Sequence, residues 1–197
     1  MELNRFEHTI SKDAVNSLPV ENYSGEIVVV NNLQQLDKCL SELYNEKIVG
    51  IDTETRPNFK KGAAPNKVAL LQIATDRKAF LIRLNKIGMP NTLLHFLEDN
   101  SILKVGLSLK DDLQAIRIVS NIQDTSSLID LQTVVKSFGI EEQSLQKIYA
   151  IVFGQKISKR QRLTNWEAPE LTLLQQKYDA LDAYACLKIY KELGTVK

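Results

Sequence analysis

Apolar positions along the chain recur with two periods. Ile27–Val30, Ile48–Ile51, 67–75, 79–84 and Ile102–Leu107 are short, mostly unbroken apolar runs of strand length. Leu33, Leu36, Leu40 and Leu43 instead repeat every three or four residues, as do Leu93, Leu94 and Leu97, the spacing of a helix that buries one side. This predicts a helix over about residues 33–45, capped by Asn31 or Asn32, and another over about 91–99 with Pro90 near its first turn. Asp76-Arg77 predicts a hairpin between the 67–75 and 79–84 runs, which with the Ile48–Ile51 strand makes an antiparallel group of three. Further helices are predicted at about 109–120, 130–138 and 144–153, with a short strand near Leu128. Thr172 and Gln175 form a capping box that opens a last helix. Strands first in hairpins and then alternating with helices predict an α/β domain: a mixed sheet, part antiparallel and part parallel, flanked by helices. Residues 1–24 read as a polar, irregular arm with a weak apolar signal at Val15 and Leu18, leaving 25–197 as the domain.

Composition narrows the classes. A chain of 197 residues, 44% hydrophobic and 25% charged, can bury one proper core and is not a disordered segment. Its net charge of +1 means that any contact with nucleic acid must use local patches. Lys156, Lys159, Arg160 and Arg162 form one such patch, suited to backbone phosphates or simply an exposed charge run. Lys60, Lys61 and Lys67 lie in the long loop Arg56–Lys67, where they can track an incoming strand. Cys39 and Cys186 sit in apolar helical patterns and read as buried free thiols. His8 and His95 are far apart in the chain, so no zinc site is predicted. No apolar signal core and no run near the ~20 residues of a membrane span occur, and the expectation is a cytoplasmic protein.

Chemistry concentrates at Val49-Gly50-Ile51-Asp52-Thr53-Glu54-Thr55. On a strand, side chains alternate, so Asp52 and Glu54 project from one face with Cβ atoms roughly 6–7 Å apart. Two carboxylates there repel, and a hard divalent cation such as Mg²⁺ or Mn²⁺ between them removes the conflict. A strand running out into a charged turn is the plainer alternative. In the last helix Leu171, Leu174, Tyr178, Leu181, Asp182, Ala185 and Ile189 share one stripe at 100° per residue. Asp182 is the one acid in it, and an ionised carboxylate facing a core costs several kcal/mol unless paired or metal-bound. Tyr178 lies one turn before it on the same side. In the helix over 109–120 the same arithmetic turns Asp112 towards the sheet and Asp111 outward, although Asp112 reads equally as a helix-start carboxylate favoured by the dipole.

Asp52-x-Glu54, Lys104-Val-Gly-Leu-Ser-Leu-Lys-Asp-Asp112 and Tyr178-Asp-Ala-Leu-Asp182 resemble, in order, the three motifs of the DEDD superfamily of 3′–5′ exonucleases. The Tyr-x-x-x-Asp form of the third marks the tyrosine subclass. Arg162-x-Thr-Asn-Trp166 and Leu171-Thr-x-x-Gln175-x-x-Tyr178 are similar to ribonuclease D and to the exonuclease domain of the Werner helicase. The likeness runs from about residue 26 to 193. It departs at Asp179, where relatives often carry a small residue, and at Glu170, where proline is common; both are expected to be exposed. The likeness covers a nuclease domain alone, and no second helical nucleic-acid-binding module or helicase is expected within these 197 residues.

The resemblance implies a ribonuclease H-like fold and metal-dependent hydrolysis from the 3′ end of single-stranded or frayed nucleic acid, releasing nucleoside 5′-monophosphates. It implies two divalent ions, Mg²⁺ or Mn²⁺, with Asp52 shared by both, Glu54 and Asp182 on the first and Asp112 on the second. Tyr178 would orient the attacking water. Thr55 matches a position near the terminal nucleotide, and Lys159 and Arg162 suit the substrate backbone. Trp166 either stacks a base or packs in the core. Two competing readings are a catalytically silent nucleic-acid-binding scaffold and an oligoribonuclease-like hydrolase of very short oligonucleotides. The five intact motif residues speak against the scaffold.

Overall fold

The computed structural model describes residues 5–58 and 66–194. Among these, a helix α1 (Lys12–Ser17) precedes β1 (Glu26–Val30), α2 (Leu33–Leu43), β2 (Ile48–Thr55), β3 (Val68–Ala74) and β4 (Lys78–Ile82). Then come α3 (Leu84–Ile87), α4 (Asn91–Glu98), β5 (Leu103–Gly106), α5 (Leu109–Val119), β6 (Leu128–Asp130), α6 (Leu131–Lys136), α7 (Leu145–Phe153) and α8 (Leu173–Gly194). The strands make one sheet in the order β1-β4-β3-β2-β5-β6. As the hairpin pattern predicts, β2, β3 and β4 are antiparallel neighbours; β5 and β6 extend the sheet parallel to β2, and β1 lies parallel to β4. This is the mixed α/β architecture expected from the alternation of elements.

Side-chain alternation divides the sheet into two faces. Val49, Ile51, Leu71, Ile73, Phe80 and Ile82 pack against residues of α2, α4 and α5. The opposite face, with Gly50, Asp52 and Glu54, receives α8, and Ala74, Ala79 and Val105 meet Ala183, Ala185 and Cys186 there. Sandwiched between the sheet and α7, α8 is buried nearly all round from Asp179 to Ile189 rather than along one stripe. Two leucines depart from the predicted stripes: Leu33 and Leu174, each in the first turn of its helix, are exposed. The capping box is present, with Gln175 N donating to Thr172 Oγ1 at 3.2 Å and Thr172 N to Gln175 Oε1 at 3.0 Å. Asn32 caps α2 by accepting from Gln35 N.

The N-terminal segment is more ordered than its polarity suggests. It contains α1, buries Phe6, Val15 and Tyr23, and docks on the helical side of the domain. Glu21 Oε2 there accepts from the Tyr149 hydroxyl at 2.6 Å and from Lys188 Nζ at 3.0 Å. Both cysteines are free and buried. No helix among the described residues is long and apolar enough to cross a membrane.

Candidate metal centre

The site forms where β2 runs out under α8. Asp52, Glu54 and Asp182 each offer a carboxylate oxygen, and these oxygens lie within 4.8 Å of one another. Asp52 and Glu54 are half-buried on one strand face, and Asp182 is 7% exposed. Burial raises all three carboxyls, joined by repulsion from neighbouring acids at Asp52 and Glu54: Asp52 lies well above its ordinary range, Glu54 at about 8 and Asp182 at about 7. A hard divalent cation relieves the cause of each shift, so this donor set fits one.

Asp112 stands outside this three-carboxylate cluster but within its field, since its charge is the largest neighbouring contribution to the rise at Asp52. Burial raises Asp112 itself to about 6. Its Oδ1 accepts a short hydrogen bond from the Thr53 hydroxyl. Thr53 points to the sheet face opposite Asp52, so Asp112 and the α8 residues flank β2 from opposite sides. Asp111 is exposed, as the helix phase predicts.

What fixes Asp112 is the start of α5, held by Asp130, which no motif or periodicity in the sequence marks. Ser108 adopts a left-handed backbone (φ 60°, ψ 35°), costly for a residue with a Cβ. Asp130 offsets that cost by accepting from Ser108 N at 3.1 Å and Leu109 N at 3.0 Å, a carboxylate at a helix N-terminus. It also caps α6 through Gln132 N. One side chain thus pins the helix that carries Asp112 to β6.

On the α8 side the Tyr178 hydroxyl faces Asp182 and lowers that carboxyl, while burial and the surrounding acids keep Tyr178 protonated. Trp166 stacks on Tyr178 with ring centroids 6.1 Å apart and planes at 22°. It is fully buried, so it belongs to the core and has no face left for a base. Its indole N–H lies on the Glu54 side and favours that carboxylate's charged form, without closing a full hydrogen bond. Arg83, itself buried, holds the loop that carries Trp166 by donating to Ala168 O at 2.5 Å. Gln175 Nε2 grips the same loop at Thr164 Oγ1, 3.0 Å away.

Asp179 departs from expectation. Instead of being exposed it is fully buried, and neither carboxylate oxygen has a hydrogen-bond partner of good geometry. Burial pushes its carboxyl far up, opposed by the facing amide of Gln72 and the charge of Arg83. Gln72, opposite Asp52 in the β2–β3 register, is likewise buried with both amide atoms unpartnered. Glu170 is exposed as expected.

The basic patch divides. Lys159 and Arg162 are exposed and lie in the fields of Asp182 and Glu54 respectively, beside the site. Lys156 is engaged by the N-terminal segment, its Nζ donating to Asn16 O, and is not available to a phosphate at this site. Lys60 and Lys61 fall outside the described residues. Thr55, at the end of β2 just after a register shift, lines a cleft of about 430 Å³ together with Asp112, Arg56, Asn58 and Gln114.

Comparison with known proteins agrees with this geometry. A family model described as 3′–5′ exonuclease matches residues 27–196. A 3′–5′ exonuclease of Arabidopsis thaliana is 29% identical over 201 residues, covering 93% of this chain and 69% of its own length. The bifunctional 3′–5′ exonuclease/ATP-dependent helicase WRN of Mus musculus is 29% identical over 191 residues, covering 92% of this chain but 14% of its own length. In structure, the Nibbler EXO domain of Aedes aegypti superposes with a TM-score of 0.81 at 22% identity, over 89% of this chain and 92% of that one, which establishes the fold.

Proposed function

Because this chain belongs to the 3′–5′ exonuclease family, we propose that it hydrolyses phosphodiester bonds one at a time from the 3′ end of single-stranded or frayed nucleic acid and releases nucleoside 5′-monophosphates. The observation that carries this reading is the convergence of Asp52, Glu54 and Asp182 within 4.8 Å, with Asp112 close enough to raise Asp52. Asp52, Glu54 and Asp182 would hold one divalent ion and Asp112 with Asp52 a second, Mg²⁺ or Mn²⁺ in both cases. Such ions supply Lewis-acid stabilisation of the charge that builds up on the phosphoryl oxygens.

The chain's own residues supply position. Tyr178, kept protonated, has a hydroxyl that donates towards Asp182 and can accept from a water, orienting that water towards the phosphorus. Trp166, stacked behind the ring, prevents it from swinging away. Thr53 fixes one oxygen of Asp112 and leaves the other for the second ion, which would offset the charge on the departing 3′ oxygen. Lys159 and Arg162 offer charge to the strand's phosphates beside the site. Thr55, at the end of β2, lines the cleft that opens beside the carboxylates. An unpaired end is favoured because a duplex terminus must open before its last phosphate reaches carboxylates this deeply set. Two buried free thiols fit a reducing compartment such as the cytoplasm.

The test is a time course on 3′-labelled RNA and DNA of equal sequence, with Mg²⁺, Mn²⁺ or chelator. Metal-dependent release of labelled 5′-monophosphate supports the reading. No turnover of either polymer with either metal would leave a binding scaffold.

A further inference from the structure

We propose that the outer edge of α5 is the track of the unpaired strand upstream of the scissile bond, running from the carboxylate site past Ile118 into a second concavity. This deepens the exonuclease reading and rests on it. In an in-line displacement the attacking and leaving oxygens lie on opposite sides of phosphorus. Tyr178, which orients the water, sits on the α8 side of β2, and Asp112 on the α5 side. The leaving 3′ oxygen carries the rest of the strand, so the strand must depart on the α5 side.

The surface there is shaped for it. The cleft of about 430 Å³ begins at Thr53, Glu54 and Asp112 and follows α5 through Gln114 and Ala115 to Ile118. Ile118 also lines a neighbouring concavity of about 740 Å³, bounded by Lys67, Asn85, Met89 and Val119. Both volumes fall within the ~300–1,000 Å³ of small-molecule sites, roughly one or two nucleotides each. Ile118 is 54% exposed and lines both concavities, so its side chain stands where the two meet. An apolar floor of Ile118, Val119 and Met89 suits base faces, and Lys67 at the margin suits a phosphate. Of the acids along the path, Glu167 is paired with Arg56, with Nη1–Oε2 at 3.3 Å, and Asp111 is an exposed acid on the wall of the first cleft. A protein segment as occupant would not need the concavity to start at the carboxylates.

The test uses Ile118→Asp and Ile118→Lys, which change charge at a site outside the core, so thermal midpoints should match the wild type. Fluorescence anisotropy with a labelled single-stranded eight-mer in chelator reads binding without turnover. Asp should weaken binding about tenfold and Lys should tighten it, because the same position meets a phosphate-bearing strand. In kcat/KM with Mn²⁺, the loss caused by Asp should be at least about fivefold larger on the eight-mer than on a dinucleotide, and should appear in KM. Loss of binding in both variants, no change in either, or an equal loss on both lengths would overturn the track. Absence of hydrolysis by the wild type on every length would instead remove the exonuclease reading, while the anisotropy comparison still decides whether a strand lies on Ile118.

Discussion

Gly50 lies directly beneath the carbonyl of Ala183: a Cβ at Gly50 would overlap that oxygen and stand 3.0 Å from the carbonyl carbon and 3.1 Å from Leu187 Cβ. Glycine is required here for close approach, not for backbone conformation. Gly50 is two residues before Asp52, and Ala183 follows Asp182, so this contact sets the spacing between a strand carboxylate and a helix carboxylate. Gly50→Ala should therefore lift α8, cost about 1–3 kcal/mol of stability as overpacking does, and spread the site. Urea denaturation with and without saturating Mn²⁺ checks this. The variant should lose more of the Mn²⁺-dependent stabilisation than the metal-free stability loss alone explains.

The raised carboxyls make stability depend on pH in a definite direction. Asp112, Asp182 and Glu54 ionise at about 6, 7 and 8 in the folded protein, against ordinary values of 3.8, 3.8 and 4.5. Above pH 4 the unfolded chain gives up protons that the folded chain retains, so stability is lost as pH rises from about 4 to about 8. In chelator, the thermal midpoint should fall between pH 5 and pH 8. Mn²⁺ should raise it at both, and more at pH 8, by binding the ionised site. A metal-free midpoint that climbs over this range would count against the mutual burial of these acids.

Tyr178→Phe keeps the ring stacked on Trp166 and removes only the hydroxyl that faces Asp182. Turnover should drop by a factor of about 10², the usual contribution of a positioned acid–base group, with the thermal midpoint preserved. Single-turnover kinetics at saturating substrate isolate the chemical step. Wild-type rates in that assay would take Tyr178 out of the mechanism.

Asp111 and Asp112 are neighbours with opposite surroundings. Asp112 is tied to Thr53 in the field of Asp52, whereas Asp111 is exposed. Asp112→Asn should nearly abolish cleavage, and Asp111→Asn should leave it close to wild type, as exposed substitutions are worth under ~0.5 kcal/mol. Circular dichroism of both variants verifies the fold. A live Asp112 variant beside a dead Asp111 variant would reverse the assignment.

Those two acids also show how far the sequence reads. Strand alternation places Asp52 and Glu54 together, and helix phase places Asp112 inward and Asp182 against the sheet, because each inference needs only one element's own periodicity. Asp179 defeats the same arithmetic: α8 is covered on several sides, so no stripe on it is free, and a residue off the apolar stripe is buried too. Gln72 approaches Asp179 from β3 and Arg83 from just past the end of β4, and such encounters leave no local pattern. Asp130 was hidden for the opposite reason, since an acid before a helix reads as that helix's own cap, whereas here it also caps α5. The polar N-terminal segment looks like an arm in isolation; its docking depends on Tyr149 and Lys188, more than a hundred residues away in the chain.

The central claim is that the carboxylates joined by Asp52 cut a strand from its 3′ end. The most direct measurement follows a 5′-labelled single-stranded oligonucleotide in Mn²⁺, comparing wild type with Asp52→Asn and identifying the released mononucleotide by mass. The wild-type ladder should shorten stepwise from the 3′ end with release of nucleoside 5′-monophosphates, and Asp52→Asn should give no ladder. Release of 3′-monophosphates, fragments from internal cutting or from the 5′ end, or an unchanged ladder in the Asp52→Asn protein would contradict that claim.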